Sequence, residues 1–277
     1  MHDHHDHDHA HHHAPEHEHH PHHDQHGCRH HPHVHGQTLV LRPYTGISGD
    51  MMVAGLARML DADQTLIDET VRAIGIEALA GSFRVVPHSL NEVGGWRGDV
   101  SLPHEHSHRT LADIRTIIRA SALADNAKTL AENAFTVLAE AEGAVHGKAT
   151  EEVAFHEVGA LDSILDMCLA AALFDKLAPA QFVCGPLPVC DGAISCAHGT
   201  IPVPAPAVMR LLRDVPVYGI PSRGETVTPT GLALLKAFGA SFGVWPHMRI
   251  QREAIVYGTR VFPNVPNGAI FAFGETV

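Results

Sequence analysis

Residues 37–51 read Gln-Thr-Leu-Val-Leu-Arg-Pro-Tyr-Thr-Gly-Ile-Ser-Gly-Asp-Met. Gln37 to Arg42 is a short apolar run stopped by a proline, which predicts a strand. Pro43 to Gly49 has the proline and glycines of a tight turn, and Asp50 to Leu60 brings Met51, Ala54 and Met59 to the core side of a helix. A strand, a turn and a helix in that order predict an α/β body. The pattern continues outward from there. A second helix is expected at about 63–74, then strands at Ser82 to His88 and Trp96 to Leu102 around a turn at Asn91 to Gly95. A polar connector from His104 to Arg109 leads to helices at about 110–119 and 124–145. The second of these should stop at Gly147 after His146. A polar turn at Glu152 to Ala160 precedes a long apolar helix, Leu161 to Leu177, and a short strand, Gln181 to Cys184. Gly185 to Pro206 is rich in Pro, Gly and Cys with little periodicity, and reads as a long irregular loop. Helices near 205–213 and 229–241 and strands near 248–257 and 268–273 complete a mixed α/β fold, expected as helices packed on a small sheet. Gly147 to Glu151 is a candidate boundary within the body 37–277.

The 277 residues carry 19 basic and 31 acidic side chains, a net charge of −12, which argues against nucleic acid or an anionic membrane surface as partner. Residues 1–36 hold 18 of the 26 histidines, with six acids and one arginine. Almost nothing there can be buried, so a disordered tail is expected. Imidazoles among Asp and Glu suit nickel, copper and zinc without choosing between them, and such a tail should concentrate metal. An expression tag or a passive solvated arm are the other readings, and the interleaved aspartates and Cys28 argue against a tag. Five cysteines at low density fit free thiols or ligands in a reducing compartment. The N-terminus has no apolar signal region, and no run approaches the roughly 20 apolar residues that span a bilayer. A soluble, cytoplasmic protein is expected.

Four motifs could carry chemistry. In Thr45 to Met51, Gly46 and Gly49 permit tight geometry, Ser48 can cap, free helix amides attract phosphate or carboxylate, and Asp50 could hold a metal. A plain capping turn explains the same residues. In His156 to Asp166, Asp162 and Asp166 stand one turn apart on one helix face beside His156 and Glu157, a set suited to a divalent cation or a metal-bound phosphate. The alternative is acids stabilising a helix N-terminus. The third motif is Cys184, Cys190, Cys196 and His198, soft donors spaced C-x5-C-x5-C-x-H, of which Cys196 and His198 are the closest pair. Cys168 reads as core. In the fourth, Thr228 stands at an N-cap before Pro229, with Thr230 beside it, an ordinary helix start that could also receive an anion. Arg260 offers phosphate or carboxylate binding or a surface ion pair, and His104, His106 and His108 alternate in the polar connector.

Together GISGDM, HEVGALDSILD, CAHGTIPVPAPA and ETVTPTGLALL, in this order, resemble the LarC family of nickel-insertion proteins over about residues 39–274. The resemblance implies insertion of nickel into pyridinium-3,5-bisthiocarboxylic acid mononucleotide, giving the nickel-pincer nucleotide of lactate racemase, with CTP and Mg2+ or Mn2+. By position it covers Gly46, Ser48, Gly49, Asp50, His156, Glu157, Asp162, Asp166, Cys196, His198, Glu225, Thr228 and Thr230. The sequence departs from the family pattern at Arg42, where an acid is usual, at Cys184 and Cys190, and at IVYGT before Arg260 with Val261. Family members continue into a second domain associated with CTP. Its expected source here is a separate C-terminal LarC chain.

The reading that follows assigns Ni2+ capture to the tail and its receipt to His156, Asp162, Asp166, Cys196 and His198. The nucleotide is expected at Gly46, Ser48, Gly49, Thr228, Thr230 and Arg260, with Asp50, His156 and Glu157 as catalytic groups, His156 or Glu157 accepting a proton. A homo-oligomer and a lactate racemase-type apoenzyme are the expected partners. The rival readings are a nickel or zinc metallochaperone or store without insertion chemistry, and a metal-dependent phosphohydrolase using Asp50, His156, Asp162 and Asp166.

Overall fold

A computed structural model describes residues 36–103, 109–155, 158–196 and 198–277. The histidine-rich segment, the His104/His106/His108 connector and the pair His156/Glu157 lie outside the described residues. The chain divides into two units, Met1–Pro32 and His33–Val277, and the second contains every element below.

The quoted opening stretch forms β1 (Gln37–Pro43) and α1 (Gly49–Met59) as expected. Leu39, Val40 and Leu41 are fully buried because β1 lies inside a seven-stranded sheet. Its other strands are β2 (Phe83–Leu90), β3 (Val93–Val100), β6 (Gln181–Cys184), β10 (Ser241–Phe242), β11 (Met248–Val256) and β12 (Ala269–Thr276), in the order β10-β6-β1-β12-β11-β3-β2. β1 runs antiparallel to β12, from Gln37↔Glu275 to Pro43↔Ala269, and parallel to β6. The sheet is larger than the sequence suggested. Its long-range partners, such as β12 for β1, are joined by pairing that local pattern does not reveal.

The β2–β3 hairpin corrects the expected turn at Asn91 to Gly95. Its turn is two residues, Asn91 and Glu92, both with positive φ (50° and 64°), while Gly94 and Gly95 belong to the strand. Positive φ at both central positions is the geometry that matches strand twist in a two-residue hairpin.

The helices stack in layers on the sheet. α1 packs on β3, β11 and β12, and Gly55 lies so close to the Phe271 ring that an added Cβ would fall 2.3 Å from it. Behind α1 lies α5 (Leu161–Leu177), whose boundaries match the sequence reading; it is apolar nearly all round because it is buried nearly all round. α4 (Asp125–His146) packs on α5, its alanines at 127, 131, 134 and 139 permitting close approach, and it ends at Gly147 in the left-handed conformation (φ 65°). α2 (Gln64–Ala73), α3 (Leu111–Ala120), α6 (Pro206–Leu211) and α7 (Pro229–Ala237) complete the helical side. α3 begins with a reciprocal cap in which Thr110 and Asp113 bond each other's backbone amides. Just before it, β4 (Arg109–Thr110) pairs with β5 (Ala154–Phe155).

The expected irregular loop at 185–206 is a second correction. It holds β7 (Leu187–Cys196) and β8 (Gly199–Val203), an antiparallel hairpin, and β7 also pairs in parallel with β9 (Val217–Arg223). Pro188 and Pro202 sit within these strands without breaking them, since only residues that must donate to a neighbour exclude proline. Among the described residues no helix is long and apolar enough to cross a membrane.

Candidate functional site

Two motifs separated by about 180 residues in sequence meet at one place. Ile47 and Val227 form a parallel bridge: the Ile47 N–H donates to Thr226 O (3.2 Å) and the Thr228 N–H to Ile47 O (3.1 Å). The N-termini of α1 and α7 therefore lie side by side. Gly46 permits this, with φ 108° and space for no Cβ, which would lie 1.5 Å from Thr226 O. Gly231 permits it from the other side, its Cβ position being 2.5 Å from Ile47 O. The capping residues are used differently than their types suggest. Ser48 makes no cap bond and donates its hydroxyl to the Asp50 carboxylate. Thr228 does cap, its hydroxyl accepting from the Gly231 N–H at 3.1 Å and pairing with the Thr230 hydroxyl at 2.9 Å. Thr228→Ala should accordingly lower stability by about 1 kcal/mol, read as a shift in the urea midpoint; a loss under a few tenths would show that the cap bond contributes little.

The first cleft opens beside the α1 N-terminus. Its volume is about 420 Å³, and Asp50, Asp99, Asp162, Asp166 and Thr259 face it. Asp162 and Asp166 do share one helix face, as their spacing predicts. Asp162 sits at the exposed rim in the first turn of α5, where its Oδ1 accepts from the Ser163 N–H at 2.7 Å, so helix-end stabilisation accounts for one of its oxygens. Asp166 is aimed across at α1 and touches Gly49 so closely that an added Cβ there would lie 2.4 Å from Oδ2. Its Oδ1 is sealed from solvent without a partner. Burial, first, and then the charges of Asp50 and Asp162 hold its carboxyl well above the usual range, while the Asp50 N–H pulls the other way. Burial also raises Asp50, opposed by the Ser48 hydroxyl and by Arg97. These oxygens are of the type that takes a hard divalent cation. Among the described residues, no group of three or more His, Cys, Asp or Glu side chains is arranged so as to hold a metal ion.

The second cavity, about 300 Å³, is lined by Cys196 and His198 on the β7–β8 hairpin, by Glu142 and His146 at the end of α4, and by Glu225. The His198 N–H donates to Cys196 Sγ at 3.4 Å. Pro229 at the start of α7 adjoins the same cavity. Cys184 and Cys190 do not join it. Both are buried, burial pushing the Cys184 thiol up to about 12 and raising Cys190, whose thiol donates to Gly224 O. The four-residue soft set read from spacing is thus reduced to its last pair, because Cys184 is held in β6 inside the large sheet and Cys190 is tied to Gly224 O. Cys168 is core, as expected, its thiol pushed up to about 12 by burial.

The stretch Val158 to Asp162 adjoins both cavities: Val158 faces the second, Ala160, Leu161 and Asp162 the first. It is held by Arg109, whose Nη1 donates to Gly159 O at 2.8 Å, while the Arg109 backbone pairs with Phe155. Arg260 belongs to neither cavity. It lies exposed near Arg223 and Gly224, on a shallow depression beside the middle of β7, with its guanidinium against Gly224, two residues before Thr226. Asp99, Arg97 and Thr259 went unread in the sequence because they carry no motif. Alternation along β3 was the available signal for Asp99.

Residues 39–273 match the family described as nickel insertion protein, and the chain belongs to that family. It is 39% identical over 233 residues to a candidate nickel insertion protein of Geotalea daltonii, covering 84% of this chain and 60% of that relative. It is similar to proteins of the same description from Geobacter sulfurreducens (40% over 224 residues, 81% and 58%) and Dictyoglomus thermophilum (34% over 235 residues, 84% and 60%). The chain thus spans about 60% of the length of the curated relatives it matches. No solved structure matches it significantly.

Proposed function

We propose that this chain inserts nickel into pyridinium-3,5-bisthiocarboxylic acid mononucleotide, yielding the nickel-pincer nucleotide used by a lactate racemase-type apoenzyme. The observation that carries the reading is the shared wall from Val158 to Asp162. On one side lies a cavity of soft donors suited to nickel, and on the other an acid cleft suited to a phosphate bridged by a divalent ion. Nickel is cargo here. Ni2+ gathered by the histidine-rich segment passes to Cys196 and His198. The joined helix starts at Gly46, Ser48, Gly49, Thr228 and Thr230 lie between the cavities and favour the nucleotide phosphate. Asp50, Asp162 and Asp166 would be the residues to hold Mg2+ or Mn2+, which would supply charge neutralisation for that phosphate or for CTP. His156 and Glu157, next to Val158 in sequence, are the groups assigned to accept the proton lost from the ring carbon that nickel bonds. Arg260, whose guanidinium lies against Gly224, is the remaining group assigned to the nucleotide. A C-terminal LarC chain, with copies associating, completes the machinery in this scheme.

Incubating the protein with nickel, the mononucleotide and CTP with Mg2+ or Mn2+, alone and with such a C-terminal chain, should yield metallated product detectable by mass. No product in either mixture removes the reaction. The concentration of 18 histidines in residues 1–36 favours one second reading, a metallochaperone or store. Deleting 1–36 is expected to remove most bound nickel yet preserve insertion at saturating nickel. A parent that binds nickel but forms no product, and loses that nickel with the segment, would favour the rival.

A further inference from the structure

The end of α4 carries two metal-binding side chains that the family strings do not include. Glu142 and His146 stand four residues apart on one helix face, with His146 Nε2 3.4 Å from Glu142 Oε2. The His146 ring lies across from His198, centroids 5.0 Å apart and planes 31° from parallel. We propose that His146 is a third ligand of the nickel ion held by Cys196 and His198, with Glu142 positioning its ring. The inference deepens the insertion reading and rests on it for the identity of the metal.

Three physical arguments support it. Two imidazoles on one ion, with metal–nitrogen bonds of about 2.0–2.1 Å, place their centroids about 4.5–5.2 Å apart at angles between square and tetrahedral. The observed separation falls in that range before any metal arrives. A carboxylate on the far nitrogen of a ligating histidine is the usual device for fixing its tautomer and ring plane, and with Nε2 toward Glu142 the coordinating atom is Nδ1. The site also sits at the C-terminal turn of a 22-residue helix, whose carbonyl ends give a partial negative charge that favours a cation.

The cavity walls serve the same end. Val145, Ile194 and Ile201 add apolar surface around the donors, while His146 and His198 stay open to solvent, from which an incoming ion can reach them. The ligands come from two elements, one imidazole from α4 and the thiol and second imidazole from the β7–β8 hairpin. Because no three donors already converge among the described residues, the set closes by side-chain rotation. Binding replaces the Cys196 thiol proton with nickel, the proton passing to bulk water.

The test uses the full chain with Cys28→Ser, which removes the thiol of the histidine-rich segment. Titration with Ni2+ is followed by thiolate-to-nickel charge-transfer absorption, a signal that histidines alone cannot produce. The expected result is a band in the parent that Cys196→Ser abolishes. His146→Ala should raise the nickel concentration at half-maximal band at least tenfold, and Glu142→Gln should raise it about tenfold. His146→Cys, which returns a soft donor, should recover much of the loss. Circular dichroism confirms that each variant is folded, and a misfolded alanine variant leaves Glu142→Gln and His146→Cys to decide. The proposal is overturned by no band in the parent, a band that survives Cys196→Ser, or folded His146 and Glu142 variants with unchanged titrations. A band without insertion product would remove the reaction and keep the site, whereas product without a band would do the reverse.

Discussion

Gly46→Ala should cost about 3–5 kcal/mol of unfolding free energy, at the upper end of single substitutions. Two terms add. A residue with a side chain at φ 108° carries backbone strain of about 1–3 kcal/mol, and the new Cβ would overlap Thr226 O at 1.5 Å. Relief is blocked on both sides, because the Thr226 hydroxyl donates to Pro188 O at 2.7 Å and the neighbouring Thr45 and Gly268 are bonded to each other. The loops that align α1 and α7 must therefore part. Gly75→Ala is the control: φ is 82° there, but nothing lies within 4 Å of its Cβ position, so only the backbone term applies. Urea unfolding of both variants measures the difference. Equal losses would show that the close approach of Gly46 to Thr226 has no energetic weight.

Asp166→Asn should raise stability at pH 8 while abolishing most activity. The folded-state pKa of Asp166 is raised above its unfolded value by burial and by Asp50 and Asp162. A carboxyl of that kind contributes stability that is fully present below the unfolded value near 4 and is lost as pH rises through the folded one. The amide has no charge to desolvate, so the gap in melting temperature should be negligible below pH 4 and widen toward pH 8. Each kcal/mol of relieved penalty corresponds to about 2–4 °C for a body of this size. Mg2+ or Mn2+ should narrow the gap from the other direction by stabilising the ionised parent alone. Insertion should fall about 10–100-fold or more, as for loss of a group that supports a metal. A variant less stable than the parent at pH 8, with the same pH slope, would mean that Asp166 is ionised and satisfied in the folded protein.

The sequence was most legible where one local pattern sufficed. The Leu161–Leu177 helix could be bounded to the residue because it is a mostly apolar segment between a polar turn and Ala178, which closes it in the left-handed conformation. The end of α4 at Gly147 was legible for the same reason. Legibility failed where structure depends on distant pairing. Gly185 to Pro206 looked irregular because its prolines hide strand periodicity, and β9 escaped notice because its partner, β7, begins 30 residues earlier. The site follows the same division. Asp162 and Asp166 fall on one face by their spacing, and the same four-residue spacing relates Glu142 and His146. That His146 meets His198, or that Asp166 reaches Gly49, is a product of layer packing. For Arg260, a guanidinium near a glycine suggests an anion without saying where.

The position of β1 has a consequence for biosynthesis. An interior strand made at the start of the body must wait for β12, some 230 residues later, before its second edge is covered. At ribosomal rates of about 5–20 residues per second, that interval is about 10–45 s. During it, Leu39, Val40 and Leu41 form an uncovered apolar ribbon on the nascent chain, a substrate for holding chaperones, and the body cannot reach its final topology until β12 has left the ribosome.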